Sequence, residues 1–268
     1  MTALFSARAA RRTAHRRRRT AVGLGFAAAL SSLAGMTDAV GFLIAGDFVS
    51  FMSGNTTRLA VAVGGVDLGA VLHLGLLVLV FVLGNAGGVV FAHLTGRRHG
   101  VIVGLVAALL LASAALSGGE RELASIILLV FAMGAVNVAM ERVEGHALGV
   151  TYVSGALSRF GRGLGRKLLG RATPNWWFEI VPWCGMLSGA VVGAVAFGLV
   201  GASAIWLTAG FAALIAFASL LIPARWRRPT EGEKRYSVPP KRFSPSYLYS
   251  SSNPNDPVRM EQPALSRI

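Results

Sequence analysis

The stretch Val49-Ser-Phe-Met-Ser-Gly-Asn-Thr-Thr-Arg-Leu59 returns farther along the chain as Val150-Thr-Tyr-Val-Ser-Gly-Ala-Leu-Ser-Arg-Phe160, an offset of 101 residues taken from Ser53 to Ser154. Val49/Val150, Ser53/Ser154, Gly54/Gly155 and Arg58/Arg159 are identities, while Ser50/Thr151, Phe51/Tyr152, Thr57/Ser158 and Leu59/Phe160 keep their chemistry. The register carries on downstream, where Gly84, Gly88 and Val90 meet Gly185, Gly189 and Val191. Upstream, Gly35-Met-Thr-Asp38 meets Gly134-Ala-Val-Asn137 at an offset of 99. The chain therefore reads as two repeats, about 21–117 and about 123–222.

The repeats lie in a chain unsuited to water. Of its 268 residues 54% are hydrophobic and only 14% charged, against roughly 25% charged in a soluble domain, and the mean hydropathy is +0.60. One Cys rules out a disulfide framework or a paired-Cys zinc site. Six apolar runs, 21–46, 70–94, 100–117, 123–140, 176–198 and 203–222, have lengths suited to a hydrocarbon core that about 20 helical residues cross. The expected fold is thus an all-α integral membrane protein with six transmembrane helices. Three spans per repeat is an odd number, so the second repeat lies inverted relative to the first, as in inverted-repeat transporters. Making 48–64 and 148–169 full crossings gives eight instead, and strands Arg97 and Arg98 outside. Both Ser-Gly segments are polar for a lipid-facing crossing. They read as short or re-entrant segments broken at the Gly, lining protein or a wet cavity, or else as amphipathic helices lying flat at the interface.

Charge orients this arrangement. The net +14 is segregated: seven Arg and no acid in 1–20, then Arg97 and Arg98, six basic against two acidic residues in 141–175, and nine against four from 223 onward. Six crossings put all four segments on one side, the cytoplasmic one by the Lys/Arg rule. Residues 1–20 read as a basic cytoplasmic arm and 223–268 as a disordered cytoplasmic tail, rich in Pro and Ser. The expected location is a bacterial inner membrane, multi-pass, with both termini cytoplasmic. The lipid bilayer is the first partner. Anionic lipid accounts for the Arg-rich arm without nucleic acid, and a six-span chain is compatible with a homo-oligomer.

At Gly35-Met-Thr-Asp38-Ala-Val-Gly-Phe-Leu, Phe48-Val-Ser-Phe-Met-Ser-Gly-Asn55 and Val150-Thr-Tyr-Val-Ser-Gly155 the chain resembles the YoaK family of multi-pass bacterial membrane proteins, a domain-of-unknown-function family. The resemblance covers roughly 21–222 and implies an inner-membrane protein without assigning an activity. Ser53 and Ser154 stand where that family more often carries Thr, and Gly54-Asn55 becomes Gly155-Ala156 in the second half.

Asp38 is the sharpest chemical signal, because an unpaired acid deep in a span costs about 2.5–3.5 kcal/mol to insert. It reads as a proton- or cation-coupling carboxylate, or as a structural acid that pairs with Arg58 or caps a broken helix; its repeat mate Asn137 cannot titrate. Arg58 and Arg159 follow the Ser-Gly pairs by about one turn. Facing inward they suit an anion; snorkelling, they reach the interfaces. Were Asp38 to neutralise Arg58, Arg159 would be the uncompensated cation, which favours an anionic solute. Asn55, Thr56 and Thr57 offer neutral donors and acceptors. Asn85 sits in Gly84-x-x-x-Gly88, a small-residue face for close helix packing that Gly185-x-x-x-Gly189 repeats. The five His residues show no metal spacing, no cofactor motif appears, and Glu141, Glu144 and His146 read as a solvated loop cluster.

The pathway residues expected are therefore Asp38, Ser53, Gly54, Asn55, Thr56, Arg58, Asn85, Asn137, Ser154, Gly155 and Arg159. The function expected is a non-enzymatic transporter or channel for a small polar or anionic solute, coupled to protons through Asp38, without metal or cofactor. The alternatives are a membrane scaffold recruiting partners through the tail and, more remotely, an intramembrane lipid-modifying enzyme.

Overall fold

The computed structural model describes residues 2–96, 99–117, 121–139, 153–171 and 173–221. Arg97, Arg98, Glu120, Glu141, Glu144, His146, the start of the second Ser-Gly stretch at Val150, and the tail from 223 lie outside the described residues. Within them every regular element is helical: α1 Thr2–Ala45, α2 Met52–Gly64, α3 Leu68–Leu94, α4 His99–Leu116, α5 Glu122–Val136, α6 Val153–Leu168, α7 Val181–Val200 and α8 Ala204–Leu220. Short 3-10 turns at Asn137–Ala139, Trp176–Ile180 and Gly201–Ser203 extend α5, lead into α7 and separate α7 from α8.

Each expected apolar run coincides with a helix to within a few residues, except that α1 begins well before residue 21. Among the described residues four stretches are long and apolar enough to cross a membrane, Arg17–Ala45, Leu68–Leu94, Glu122–Ala139 and Trp176–Leu220, and Gly100–Leu116 is a shorter fifth. The basic arm is not a separate element. α1 begins at Thr2 and runs unbroken into the first span, because an Ala/Arg-rich stretch without Gly or Pro is a good helix former.

The helices pack in a sequence that differs from their chain order. α7 lies along α1, α1 touches α8, α8 packs on α4, α4 on α5, and α5 on α3. The core is the shared seam of α1, α4, α5 and α8, with Leu30, Leu33, Val106, Leu110, Leu129, Met133 and Ile205 fully buried. The outer faces of α3 and α7 expose Leu79, Val82, Leu83, Val191, Val192 and Val195, which suits lipid.

The two outer contacts are made by glycines. On α1–α7, a Cβ at Gly189 would run into the Ser32 carbonyl, one at Gly35 into the Met186 carbonyl, and one at Gly193 would sit 2.7 Å from the Met36 oxygen. On α3–α5, a Cβ at Gly84 would run into the Phe131 carbonyl, one at Gly134 into the Phe81 carbonyl, and one at Gly88 would sit 3.1 Å from the Ala135 Cα. Without a hydrophobic drive between helices in lipid, such backbone-to-backbone approach supplies the packing that holds them. Between α4 and α5, Ser113 and Ser125 exchange hydroxyl-to-carbonyl bonds of 2.7 and 2.9 Å and share a 2.9 Å hydroxyl contact.

α6 differs from the rest. Ser154, Ser158, Arg162 and Arg166 share one side and are exposed, while Leu157, Phe160, Leu164 and Leu168 share the other. Phe160 stacks on Trp176 with ring centroids 5.2 Å apart, and the Lys167 ammonium lies 5.6 Å from the same ring.

Candidate functional site

The two Ser-Gly segments were expected to break at their glycines. Instead Gly54 and Gly155 both lie inside the first turn of a helix, α2 and α6. The first-half break comes earlier, where α1 ends at Gly46, whose φ of +73° suits a residue without a Cβ. Residues 47–51 then run back alongside α1 before α2 starts. Gly41 permits this, since a Cβ there would lie 2.7 Å from a Val49 methyl. Phe48 stacks on Phe42 and meets Phe51 edge-on; Gly54 leaves room for these rings, because its Cβ would strike Phe51 at 2.6 Å.

Asp38 sits beneath this elbow, buried at 6% exposure. Its Oδ1 accepts hydrogen bonds from the Val49 and Ser50 amides, both 2.8 Å. These amides precede α2 and have no helical carbonyl, so the carboxylate serves them much as an N-cap serves a helix start. Oδ2 takes part in neither bond. The Ser50 hydroxyl faces the same carboxylate, yet it makes no hydrogen bond of acceptable geometry and is buried. Asn55 is fully buried. Its Nδ2 donates to the Phe48 carbonyl at 2.6 Å, and that bond fixes Oδ1 as the free end, without a partner. Two unpartnered buried oxygens in one elbow are unusual, since each costs about 1–3 kcal/mol.

A second cluster ties the elbow down from its rim. Asp47, 4% exposed, accepts from Arg58 Nη1 at 2.8 Å through Oδ1 and meets His73 Nε2 at 2.6 Å through Oδ2. Arg58 also donates to the Gly46 carbonyl at 2.8 Å. The loop after α1 is thus joined to α2 and to α3 at one carboxylate. This corrects the expectation that Arg58 serves Asp38: Arg58 pairs with Asp47, and Asp38 is met by backbone.

The second half carries a corresponding pair. Arg159 Nε donates to Glu179 Oε2 at 2.7 Å, with the Glu179 side chain buried. Arg159 is therefore compensated, which removes the asymmetry that favoured an anionic solute. Asn137 ends α5 and donates to the Met133 carbonyl at 3.3 Å, and Ser154 is exposed. Ser53 and Thr56 are exposed too, with Thr56 bonded to the Met52 carbonyl. Asn85 donates to the Phe81 carbonyl at the α3–α5 crossing. Of the expected pathway residues, then, Asp38 and Asn55 both bond the 48–50 stretch of the elbow and Arg58 stands at its rim, while Ser53 and Thr56 are exposed.

Four residues of these clusters were not singled out from the sequence: Ser50, Asp47, His73 and Glu179. Ser50/Thr151 was visible as a kept hydroxyl. Asp47 and Glu179 were visible as acids beside apolar runs, where burial demands a cation.

A family model described as "Protein of unknown function (DUF1275)" matches residues 26–218. The chain belongs to the DUF1275 family. It is also 50% identical over 217 residues to the UPF0700 transmembrane protein RA0705 of Rhizobium meliloti (strain 1021), covering 81% of this chain and 95% of that protein. No solved structure matches. The resemblance to YoaK-type proteins read from Asp38, Ser53-Gly54-Asn55 and Ser154-Gly155 is to this same DUF1275/UPF0700 family, and the chain is a multi-pass transmembrane protein of it.

Proposed function

We propose that this DUF1275 protein passes a small polar solute across the bacterial inner membrane, with Asp38 as its coupling carboxylate and both termini in the cytoplasm. The observation that carries the reading is the elbow itself: irregular backbone and a buried acid against a span, an arrangement tolerated at membrane depth where it serves a site. The anionic arm of the expectation loses its main support, because Asp47 and Glu179 hold the two repeat arginines.

Six crossings arranged as two inverted repeats accord with the packing. Trp176–Leu220 has 45 residues, more than twice the roughly 20 that one crossing needs, so counting α7 and α8 separately is natural. The packing order α7, α1, α8, α4, α5, α3 reads the same from either end when α1 is matched with α5, α3 with α7 and α4 with α8. The glycine contacts match as well: Gly84 on Phe131 with Gly189 on Ser32, Gly134 on Phe81 with Gly35 on Met186, Gly88 on Ala135 with Gly193 on Met36. This pairing sets α1 against α5 at the offset of 99 and α3 against α7 at 105, one helical turn beyond the 101 that the Ser-Gly stretches suggest. The extra turn falls between α6 and α7, where the Trp176–Ile180 turn lies. The amphipathic pattern of α6 favours an interfacial position for the second segment, so the halves share a scaffold while Asp38 of the first has in the second only Asn137, which cannot titrate, as its mate.

The test is uptake of a solute panel into proteoliposomes under an imposed proton or sodium gradient, with the parent and Asp38→Asn. Gradient-driven uptake lost in the variant is the expected result. Absence of flux from correctly inserted parent protein, together with loss of a cellular phenotype on deleting residues 224–268, turns the reading to a scaffold.

A further inference from the structure

We infer that the α1–α2 elbow is a binding site for a small monovalent metal cation of the sodium class, held by Asp38, Ser50 and Asn55. Three observations converge on it. The Asp38 carboxylate is buried and spends one oxygen on the Val49 and Ser50 amides. The Ser50 hydroxyl lies beside it, buried and without a hydrogen bond of good geometry. The Asn55 amide is locked by the Phe48 carbonyl so that its own oxygen is buried and unpartnered.

The donors are all oxygens: one carboxylate, one hydroxyl, one amide carbonyl. That is a hard set, which excludes metals that prefer sulfur or imidazole, and with a single formal negative charge it suits a monovalent ion. Calcium sites gather more carboxylates, and magnesium keeps water in octahedral geometry. Arg58 does not compete for the site, because Asp47 engages it. Capping alone does not require the negative charge of Asp38, since an Asn oxygen accepts the same two amide bonds. A bound cation accounts for the buried charge that the cap does not require.

The meaning for transport rests on the reading of Asp38 as a coupling carboxylate, but binding is measured without flux. Full-length protein in detergent is unfolded thermally in sodium, lithium, potassium or choline chloride at matched ionic strength, across a pH series. For the parent the midpoint climbs with sodium, by roughly 3–5 °C per tenfold increase once the site is half filled, because the ion binds only the folded form. Choline leaves it unchanged. Ser50→Ala removes a hydroxyl without a well-formed hydrogen bond, so this variant folds about as stably as the parent in choline yet loses the sodium response. Asp38→Asn keeps the amide bonds and loses the response too. Equal midpoints for the parent in all four salts overturn the site, as does stabilisation that follows pH without following any metal ion, or a sodium response that survives both variants. A sodium response in a protein that moves no solute leaves the site standing and removes the transport reading; flux without a sodium response does the reverse.

Discussion

Gly189→Ala is the most direct probe of how this membrane domain holds together. The added methyl would meet the Ser32 backbone on α1, with the Ser32 Cα 2.7 Å away, where ordinary contact begins near 3.4 Å. The obstacle is helix backbone, so the side chain cannot relieve it by changing rotamer; α1 and α7 must part by about 0.7 Å or more along their seam, an overpacking cost at the upper end of about 1–3 kcal/mol. Against that, Ala regains up to about 1 kcal/mol over Gly in a helix interior. The net loss is about 2 kcal/mol, or roughly 4–8 °C in the unfolding midpoint for a domain of this size. Gly198→Ala lies farther along the same helix with no atom near the new methyl, so it keeps or raises the midpoint. Thermal unfolding of both variants in detergent, followed by tryptophan fluorescence, makes the comparison. Gly84→Ala, against the Phe131 backbone, loses a similar amount if the α3–α5 seam matches α1–α7. Identical midpoints for Gly189→Ala and Gly198→Ala would refute the close-packed seam, and with it the argument from matched glycines.

Asp38→Asn retains an acceptor for the Val49 and Ser50 amides and unfolds close to the parent, whereas Asp38→Ala leaves two buried amides unpaired and costs on the order of 2–4 kcal/mol; chemical denaturation in detergent separates the two, and equal losses would mean that the charge, not the bonds, holds the elbow. Arg159→Gln removes the cation at the buried Glu179 carboxylate and destabilises by about 1–3 kcal/mol, discounted because Arg159 is one-third exposed. Its anion affinity stays that of the parent, and an anion-binding assay showing lost affinity at unchanged stability would restore the anionic-solute reading. Ser113→Ala and Ser125→Ala each cost about 0.5–1 kcal/mol and the double variant less than their sum, with a coupling of about 0.6 kcal/mol; strict additivity in a double-mutant cycle would show that the α4–α5 exchange contributes nothing.

The helices were legible because apolar runs of bilayer length have few alternatives. Their edges at 21–46, 70–94 and 203–222 fall within a few residues of the ends of α1, α3 and α8, the N-terminal end of α1 excepted. That exception arises because Arg and Ala are strong helix formers, so the helix continues beyond the apolar run into the basic arm. The importance of Asp38 was legible from its cost in a span; its partners were not. Arg58 chooses Asp47 over Asp38 because the chain doubles back at Gly46, a tertiary consequence of two glycines and a row of Phe rings that no spacing rule encodes. The break itself was misplaced for a related reason. Gly54 looked like a hinge, but its missing Cβ makes room for Phe51 rather than bending the backbone.

The pairing of α1 with α7 also bears on how the protein is made. α1 leaves the ribosome before α2 through α6, and α7 only after them, so those elements are delivered before it arrives. Until then α1 presents Ser31, Ser32 and Gly35, a narrow notch cut for another helix, to lipids that cannot fill it, and the nascent protein is a set of inserted but unassembled segments. A chain that stops short of α7 therefore carries an open seam along its oldest helix. Such truncations would be recognised and degraded as orphans, however well their own spans insert.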